Sequence, residues 1–348
     1  MKAIVLNEHG GVDKLRYQDF PEPVCREGEA LIRVKACAVN RLDVWVRRGL
    51  PNRSVRFPHI LGSDISGQLV YSVGGLSPGD DVIVYPGISC NRCGYCMQGK
   101  ENLCDRFSII GGFSDWHGGY AEYVKVPIHN LISMPKWLNY EEACTLGVAY
   151  LTSYSMLTKA ISLLNHEDSD EGIDIDDHTI LVYSAGSGVG IASIQFAKKI
   201  GMKVITTSSK GKLDKARSIA DYVIDREECD IIKEVMRITD GKGVDIVIDQ
   251  LGLWDTSIRA VMKGGVIMVC GATVNEYAQV EVRALYNRLS SINGAYLGTK
   301  REMLDMLEFI HEYNIKPIID SVFALEDTML AHARMEMNHH FGKIVLRP

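Results

Sequence analysis

The sequence predicts an α/β protein in which a β-rich domain precedes a doubly wound parallel sheet, and three observations carry that prediction. The chain has 348 residues, more than one hydrophobic core usually serves, so two domains are the default. Residues 1–135 hold short alternating segments punctuated by Gly and Pro, such as Ala30-Leu31-Ile32-Arg33-Val34-Lys35, Gly67-Gln68-Leu69-Val70-Tyr71 and Asp81-Val82-Ile83-Val84. From Thr179 onward strands alternate with helices, the pattern of parallel βαβ units.

In chain order, Met1-Lys2-Ala3-Ile4-Val5-Leu6 reads as a first strand, its apolar run being too short for a signal-peptide core. A helix is expected from Arg41 to Arg48, with Asn40 as N-cap, Asp43 placed to complete the capping interaction and Gly49 to close the C-terminus. The pattern turns helical again over residues 139–157. The acidic stretch from His166 to Asp177 reads as a solvated loop. Six strands follow, at 179–183, 203–207, 222–225, 244–249, 265–270 and 292–297, with helices near 189–200, 212–220, 230–238 and 255–262. Residues 299–348 hold a helix and short strands ending Gly342-Lys343-Ile344-Val345-Leu346.

Charge and hydropathy narrow the partners. A net charge of −6 gives no broad basic field, which argues against nucleic acid or an anionic membrane as the main partner. No apolar stretch approaches the ~20 residues that span a bilayer. The expectation is a cytoplasmic protein acting on a small molecule.

Nine cysteines are present, and four of them cluster as Cys90-x-x-Cys93-x-x-Cys96 followed by Cys104. Four thiolates at such spacing can wrap one Zn2+ tetrahedrally, leaving no vertex for water or substrate, so the site reads as structural. An iron–sulfur cluster is the competing occupant, disfavoured by the wide last spacing and the missing Cys-Pro ending, and a metal-free or disulfide-linked lobe is a lesser alternative.

The strand at 179–183 runs into Ser184-Ala185-Gly186-Ser187-Gly188-Val189-Gly190 and then an Ala/Ile-rich helix. Glycines permit a tight turn and close approach to a pyrophosphate, and the helix N-terminus offers N–H groups and a positive dipole end. Such a loop between a strand and a helix is the mark of a dinucleotide site. An NAD site usually carries Asp or Glu at the end of the second strand. Here stand Thr206-Thr207-Ser208-Ser209-Lys210, with Lys212 and Arg226 nearby, a set suited to a 2′-phosphate, so NADP(H) is preferred over NAD(H). The candidate cofactor-binding residues are Ser184, Gly186, Ser187, Gly188, Val189, Gly190, Ser208, Ser209, Lys212, Arg226 and, past the fifth strand, Gly271 and Ala272.

Together these features resemble the medium-chain dehydrogenase/reductase superfamily over essentially the whole chain. The resemblance is carried by Val34–Gly49, Phe57-Pro58-His59-Ile60-Leu61-Gly62-Ser63-Asp64, Gly79-Asp80-Asp81-Val82, the cysteines, Gly118-Gly119-Tyr120-Ala121-Glu122-Tyr123, the Gly-rich loop, Gly243-Val244-Asp245 and Gly342-Lys343-Ile344-Val345-Leu346. It implies a GroES-like catalytic domain (1–149 and 299–348), a Rossmann domain (150–298), an active site in the cleft between them, and a homodimer or homotetramer paired through the sixth Rossmann strand.

Alcohol dehydrogenases of this family hold a second, catalytic zinc. By resemblance its ligand positions are Asn40, Ser63 and approximately Val148, with Asp64 in place of the neighbouring Glu, and Leu42 and Trp45 in place of the proton-relay hydroxyl and His. The zinc-free pattern Asn40-Arg41-Leu42-Asp43 instead resembles the quinone oxidoreductase branch, with its enone and enoyl reductases. The expected activity is NADPH-dependent reduction of an activated double bond or quinone, with Asn40, Asp43 and Asp64 as catalytic candidates. Asn40 would donate a hydrogen bond to the developing enolate oxygen. Competing structural roles are a helix cap for Asn40 and Asp43, and a bond from Asp64 to backbone or to Arg47 and Arg48. Ile88, Phe113, Trp116 and Tyr150 are candidate pocket-lining residues. Competing functions are an alcohol or aldehyde dehydrogenase using a displaced zinc, and a non-catalytic nucleotide-binding protein.

Overall fold

A computed structural model describes residues 1–164 and 178–348, so the acidic stretch from His166 to Asp177 lies outside the described residues. The chain divides into two units. One comprises Met1–Leu151, Thr299–Ile310 and Lys316–Pro348, and the other Thr152–Gly298 and His311–Ile315.

The first unit begins with β1 (Lys2–Leu6), β2 (Leu15–Asp19), β3 (Glu29–Val39), β4 (Asp64–Leu69), β5 (Asp81–Val84), β6 (Gly87–Ile88), β7 (Ser108–Ile109), β8 (Tyr123–Pro127) and β9 (Leu131–Ser133). The second unit supplies β10 (Thr179–Val182), β11 (Lys203–Ser208), β12 (Tyr222–Asp225), β13 (Val244–Asp249), β14 (Val261–Val269) and β15 (Ser291–Gly294). The chain then returns to the first unit with β16 (Ile319–Ala324) and β17 (Lys343–Arg347).

In the second unit all six strands are parallel, in the order β12-β11-β10-β13-β14-β15. Counted within the unit this is 3-2-1-4-5-6, the doubly wound order, which reverses between β10 and β13. The central strand, Thr179-Ile180-Leu181-Val182, is buried throughout, as a strand covered on both faces must be. Leu181, Ile205, Ile224, Val247 and Ile267 build the core.

In the first unit the sheet runs β16-β17-β3-β4-β5-β9, with β8 also pairing β3. The long β3 is its spine: the first half pairs β8, and the second half lies between β4 and β17. Register then places the site. Ala38 faces Asp64 on β4, and Val39 faces Ile344 on β17. The end of β3 and the starts of β4 and β17 therefore converge, bringing together residues 40, 64 and 343.

Several elements differ from the sequence reading. The helix expected to reach Met262 ends at Ala260, because Val261 pairs Val244 and a bulge then carries the strand on to Val266. The helical stretch at 139–157 is three pieces: Tyr140–Cys144, a π-helical turn Leu146–Tyr150, and Leu151–Leu164. An additional helix, Thr328–Glu336, went unread. Its buried positions Thr328, Ala331, His332 and Met335 have helical spacing, but two of them are polar, which defeats a hydrophobic template. The sixth parallel strand stops at Gly294, and β4 starts three residues before Gly67, at Asp64.

Candidate functional site

Three polar centres stand out. The first is the cysteine lobe. The short helix Gly94–Met97 follows Cys93 directly, and the turn Glu101–Leu103 delivers Cys104. All four sulfurs lie within 4.8 Å of one another, with Cys93–Cys96 at 3.5 Å and Cys90–Cys96 at 3.9 Å. Zinc–sulfur bonds of about 2.3 Å set tetrahedral sulfur–sulfur distances near about 3.8 Å, so this donor set fits one structural zinc. Backbone N–H groups of Arg92 and Cys93 pull the Cys90 thiol down to about 6, toward the ligating thiolate. Glu101 anchors the lobe by accepting the backbone N–H of Lys300 at 2.5 Å.

The second centre is buried. Asn40 is 6% exposed, Asp64 0% and Lys343 3%. Lys343 Nζ donates to Asn40 Oδ1 (2.5 Å) and to Asp64 Oδ2 (2.9 Å), and Asn40 Nδ2 donates to the same Asp64 oxygen (2.9 Å). The other oxygen, Asp64 Oδ1, and the hydroxyl of Ser63 are buried with no partner among the described residues. Gly147, in the π-helical turn, packs so closely that an added Cβ would lie 2.7 Å from Asp64 Oδ1. These residues do not fit a catalytic zinc. Two neutral side chains, the half-buried Val148 and a carboxylate already neutralised by an ammonium leave no anionic donor set for a dication.

Asp64 thus bonds neither Arg47 nor Arg48, which both hold Glu336 instead (2.5 and 2.6 Å). Lys343 was missed as a candidate residue. The available signal was a lysine opening an otherwise apolar strand, but only β3–β17 register reveals what it meets.

Asp43 is wholly buried and accepts from three donors: Asn40 N (2.7 Å), Gly62 N (3.1 Å) and Tyr120 OH (3.1 Å). Burial nonetheless pushes its carboxyl up to about 7. The Tyr120 hydroxyl also touches His332 Nε2 (3.2 Å), a ring that burial drives down to about 3. This network ties the Asn40 end of its helix to the segments carrying Gly62 and Tyr120. Of the aromatic candidates, Tyr150 is fully buried and receives the Ile318 N–H at 3.3 Å, a packing position.

The third centre lies at the C-terminal ends of β10, β11, β13 and β14. Ser184 adopts a left-handed conformation (φ 57°), and Ser187 caps the helix Gly188–Lys199 by accepting Gly190 N at 2.9 Å. A Cβ at Gly190 would stand 2.2 Å from Ser184 O, so only glycine fits there. Gly186, Gly188 and Val189 complete the turn. At the end of β11, Ser208 O accepts the Arg226 N–H (3.1 Å), setting Arg226 beside Ser208 and Ser209. The Arg226 guanidinium has no ion-pair partner among the described residues, whereas Lys210 is held by Glu228 at 2.7 Å. Lys212 lies on the following turn. Gly271 runs so close to Gln250 O that a Cβ would be 2.8 Å away, with Ala272 next to it.

Two further residues, outside the set of candidate cofactor-binding residues, support the loop. Thr207 Oγ1 accepts Ser184 N (3.0 Å). Gln250 Nε2 donates to Tyr183 O and to Ser187 Oγ (3.2 Å), while its Oε1 is buried with no partner among the described residues. A glycine cradle, a capped helix N-terminus and an orphaned acceptor fit a dinucleotide, whose pyrophosphate the loop and helix N–H groups would hold.

Two family models match the chain. Residues 26–136 match the alcohol dehydrogenase GroES-like domain, and residues 188–312 match the zinc-binding dehydrogenase domain. The chain is 30% identical to an NAD-dependent alcohol dehydrogenase of Saccharolobus solfataricus, with 100% of each covered. It is 27% identical to the acryloyl-coenzyme A reductase of Metallosphaera sedula, covering 99% of each. A crystal structure of an NAD-dependent alcohol dehydrogenase superposes with a TM-score of 0.91 at 36% identity, covering 100% of both chains. The chain belongs to the medium-chain dehydrogenase/reductase superfamily and is an NAD(P)-dependent oxidoreductase.

Proposed function

We propose that this oxidoreductase reduces an activated carbon–carbon double bond or a quinone, without a catalytic zinc. The observation that carries the reading is the Asn40–Asp64–Lys343 cluster, which sets an ammonium on Asn40, a position that by resemblance carries a zinc ligand in alcohol dehydrogenases of the family. A simple alcohol or ketone needs a Lewis acid on its oxygen. A conjugated carbonyl does not, because hydride addition at its β-carbon moves an electron pair onto oxygen, where hydrogen-bond donors can hold it. The reduced nicotinamide, when bound, supplies that hydride. Asn40 Nδ2 carries a second hydrogen beyond the one on Asp64 and is the proposed donor to the substrate oxygen. The proton that returns to the α-carbon comes from water.

For the cofactor we propose NADP(H). Neither Ser208 nor Ser209 is acidic, and the Arg226 backbone is bonded to Ser208, so its guanidinium would be available to a 2′-phosphate. The name of the Saccharolobus relative favours a second reading, NAD-dependent alcohol oxidation. One experiment separates them. NADPH and NADH oxidation is followed over enones, enoyl thioesters and quinones, beside NAD+ and NADP+ reduction by alcohols. Turnover with the conjugated acceptors, reduced on the order of 10- to 1000-fold in Asn40→Ala, is expected. Turnover confined to alcohols would replace this proposal with the second reading.

We also propose self-association along the edge strand β15. Tyr277 (90% exposed), Val282, Tyr286 and Leu289 are exposed apolar residues in the segment that leads into it. Light scattering on the eluting protein should give a mass of at least two chains.

A further inference from the structure

We propose that Lys343 is a positioning residue, fixing which end of the Asn40 carboxamide is offered to the substrate. This rests on the role proposed for Asn40. The two ends of an asparagine amide are nearly equal in size, so their orientation is decided by partners. Lys343 has only donors to offer, and its Nζ at 2.5 Å demands the oxygen Oδ1. The carboxylate of Asp64 offers only acceptors, and its Oδ2 at 2.9 Å demands Nδ2. The amide is clamped at both ends by groups of opposite sign, themselves bonded at 2.9 Å.

The clamp has two consequences. With Oδ1 occupied, what Asn40 has left to offer is the second N–H, a donor and not an acceptor. That suits a developing oxyanion and penalises a ligand that must donate a hydrogen. The ammonium also neutralises Asp64, whose bare charge would otherwise oppose negative charge growing on a substrate oxygen. Backbone register supplies the rigidity: Val39 pairs Ile344 and Ala38 pairs Asp64, so each clamp residue stands at the end of a hydrogen-bonded ladder.

The test is a mutant cycle read as separate kcat and KM values on an accepted conjugated substrate. The variants are Asn40→Ala, Lys343→Met, the two combined, and Asp64→Asn with Lys343→Met. The last retains the fold if Lys343→Met alone does not, because it leaves no unpaired buried charge. Lys343→Met, or its Asp64→Asn companion, should lower kcat about 10- to 100-fold with KM within about threefold. In the Asn40→Ala background the same change should add less than about twofold, because the residue acts through Asn40. Losses that multiply in the combined variant would overturn the inference. So would a kcat within about twofold of wild type in both Lys343 variants while Asn40→Ala is impaired, leaving the function proposal intact. An unimpaired Asn40→Ala enzyme would instead remove the proposed role of Asn40, and this inference with it.

Discussion

The cysteine lobe and the Asn40–Asp64–Lys343 cluster belong to the same unit and solve opposite electrostatic problems. The lobe gathers four thiols of one kind along a short stretch, three of them only half-buried. As thiolates they would repel one another, a charge that one divalent ion would offset. The buried cluster gathers one positive, one negative and one neutral side chain, and it closes its own charge. A metal centre requires donor atoms that no neighbouring cation already occupies. The lobe has them and the cluster does not.

The largest effect should come from the lobe. Elemental analysis is expected to find one zinc per chain, and Cys93→Ser or Cys104→Ser should lose it. Structural zinc contributes roughly 10–16 kcal/mol of apparent binding, so the variants should expose the segment around residues 90–104 to limited proteolysis. Two tightly held zincs per chain would break the comparison, since the second would have to displace Lys343 from Asp64.

Next comes the cluster. Lys343→Met leaves a carboxylate buried and unpaired, a loss of about 3–5 kcal/mol in a urea melt. Asp64→Asn added to it should recover most of that. A Lys343→Met protein as stable as wild type would mean that Asp64 finds water or another donor.

The contrast between these two centres also explains what could be read from the sequence. Cys90, Cys93, Cys96 and Cys104 make a site through local spacing, as Ser184 to Gly190 do, so their chemistry is legible from a short window. Asn40 and Asp64 were legible as positions that lack metal ligands. Their actual partner, Lys343, is about 300 residues from Asn40, and only strand register joins them. Gln250 escaped for the same reason, its amide supporting a loop more than 60 residues earlier. The helix Thr328–Glu336 escaped for another: His332 faces inward to meet Tyr120, so a polar residue occupies a core position.

Asp43 and Asp64 sharpen the comparison within the cluster's own surroundings. Both are fully buried, but Asp43 has no cation, and burial raises it from 3.8 to about 7. A folded value above the unfolded one means the proton binds more tightly in the native state. The stabilisation is complete below about pH 4 and is lost as pH rises toward 7. His332 and His59, lowered to about 3 and about 4 by burial, act in the opposite sense, favouring the fold above pH 6.5 and losing that contribution on acidification. Only the difference between wild type and Asp43→Asn isolates the carboxyl. That difference should fall by up to roughly 4 kcal/mol between pH 4 and pH 7. A flat difference would show that the three donors on Asp43 outweigh its burial.

The smallest expected effect concerns Gly147. In a helical setting alanine is favoured over glycine by about 1 kcal/mol, so Gly147→Ala would stabilise an open site. Here the new Cβ would stand 2.7 Å from Asp64 Oδ1, and that carboxylate cannot swing away while its other oxygen is held by Lys343 and Asn40. Overpacking of this kind costs about 1–3 kcal/mol, leaving a net loss of about 1 kcal/mol by calorimetry. With Asp64→Ala and Lys343→Met already in place the oxygen is gone, and Gly147→Ala should become neutral or stabilising by about 1 kcal/mol. An equal loss in both backgrounds would mean that the orphaned oxygen is not what excludes the methyl group.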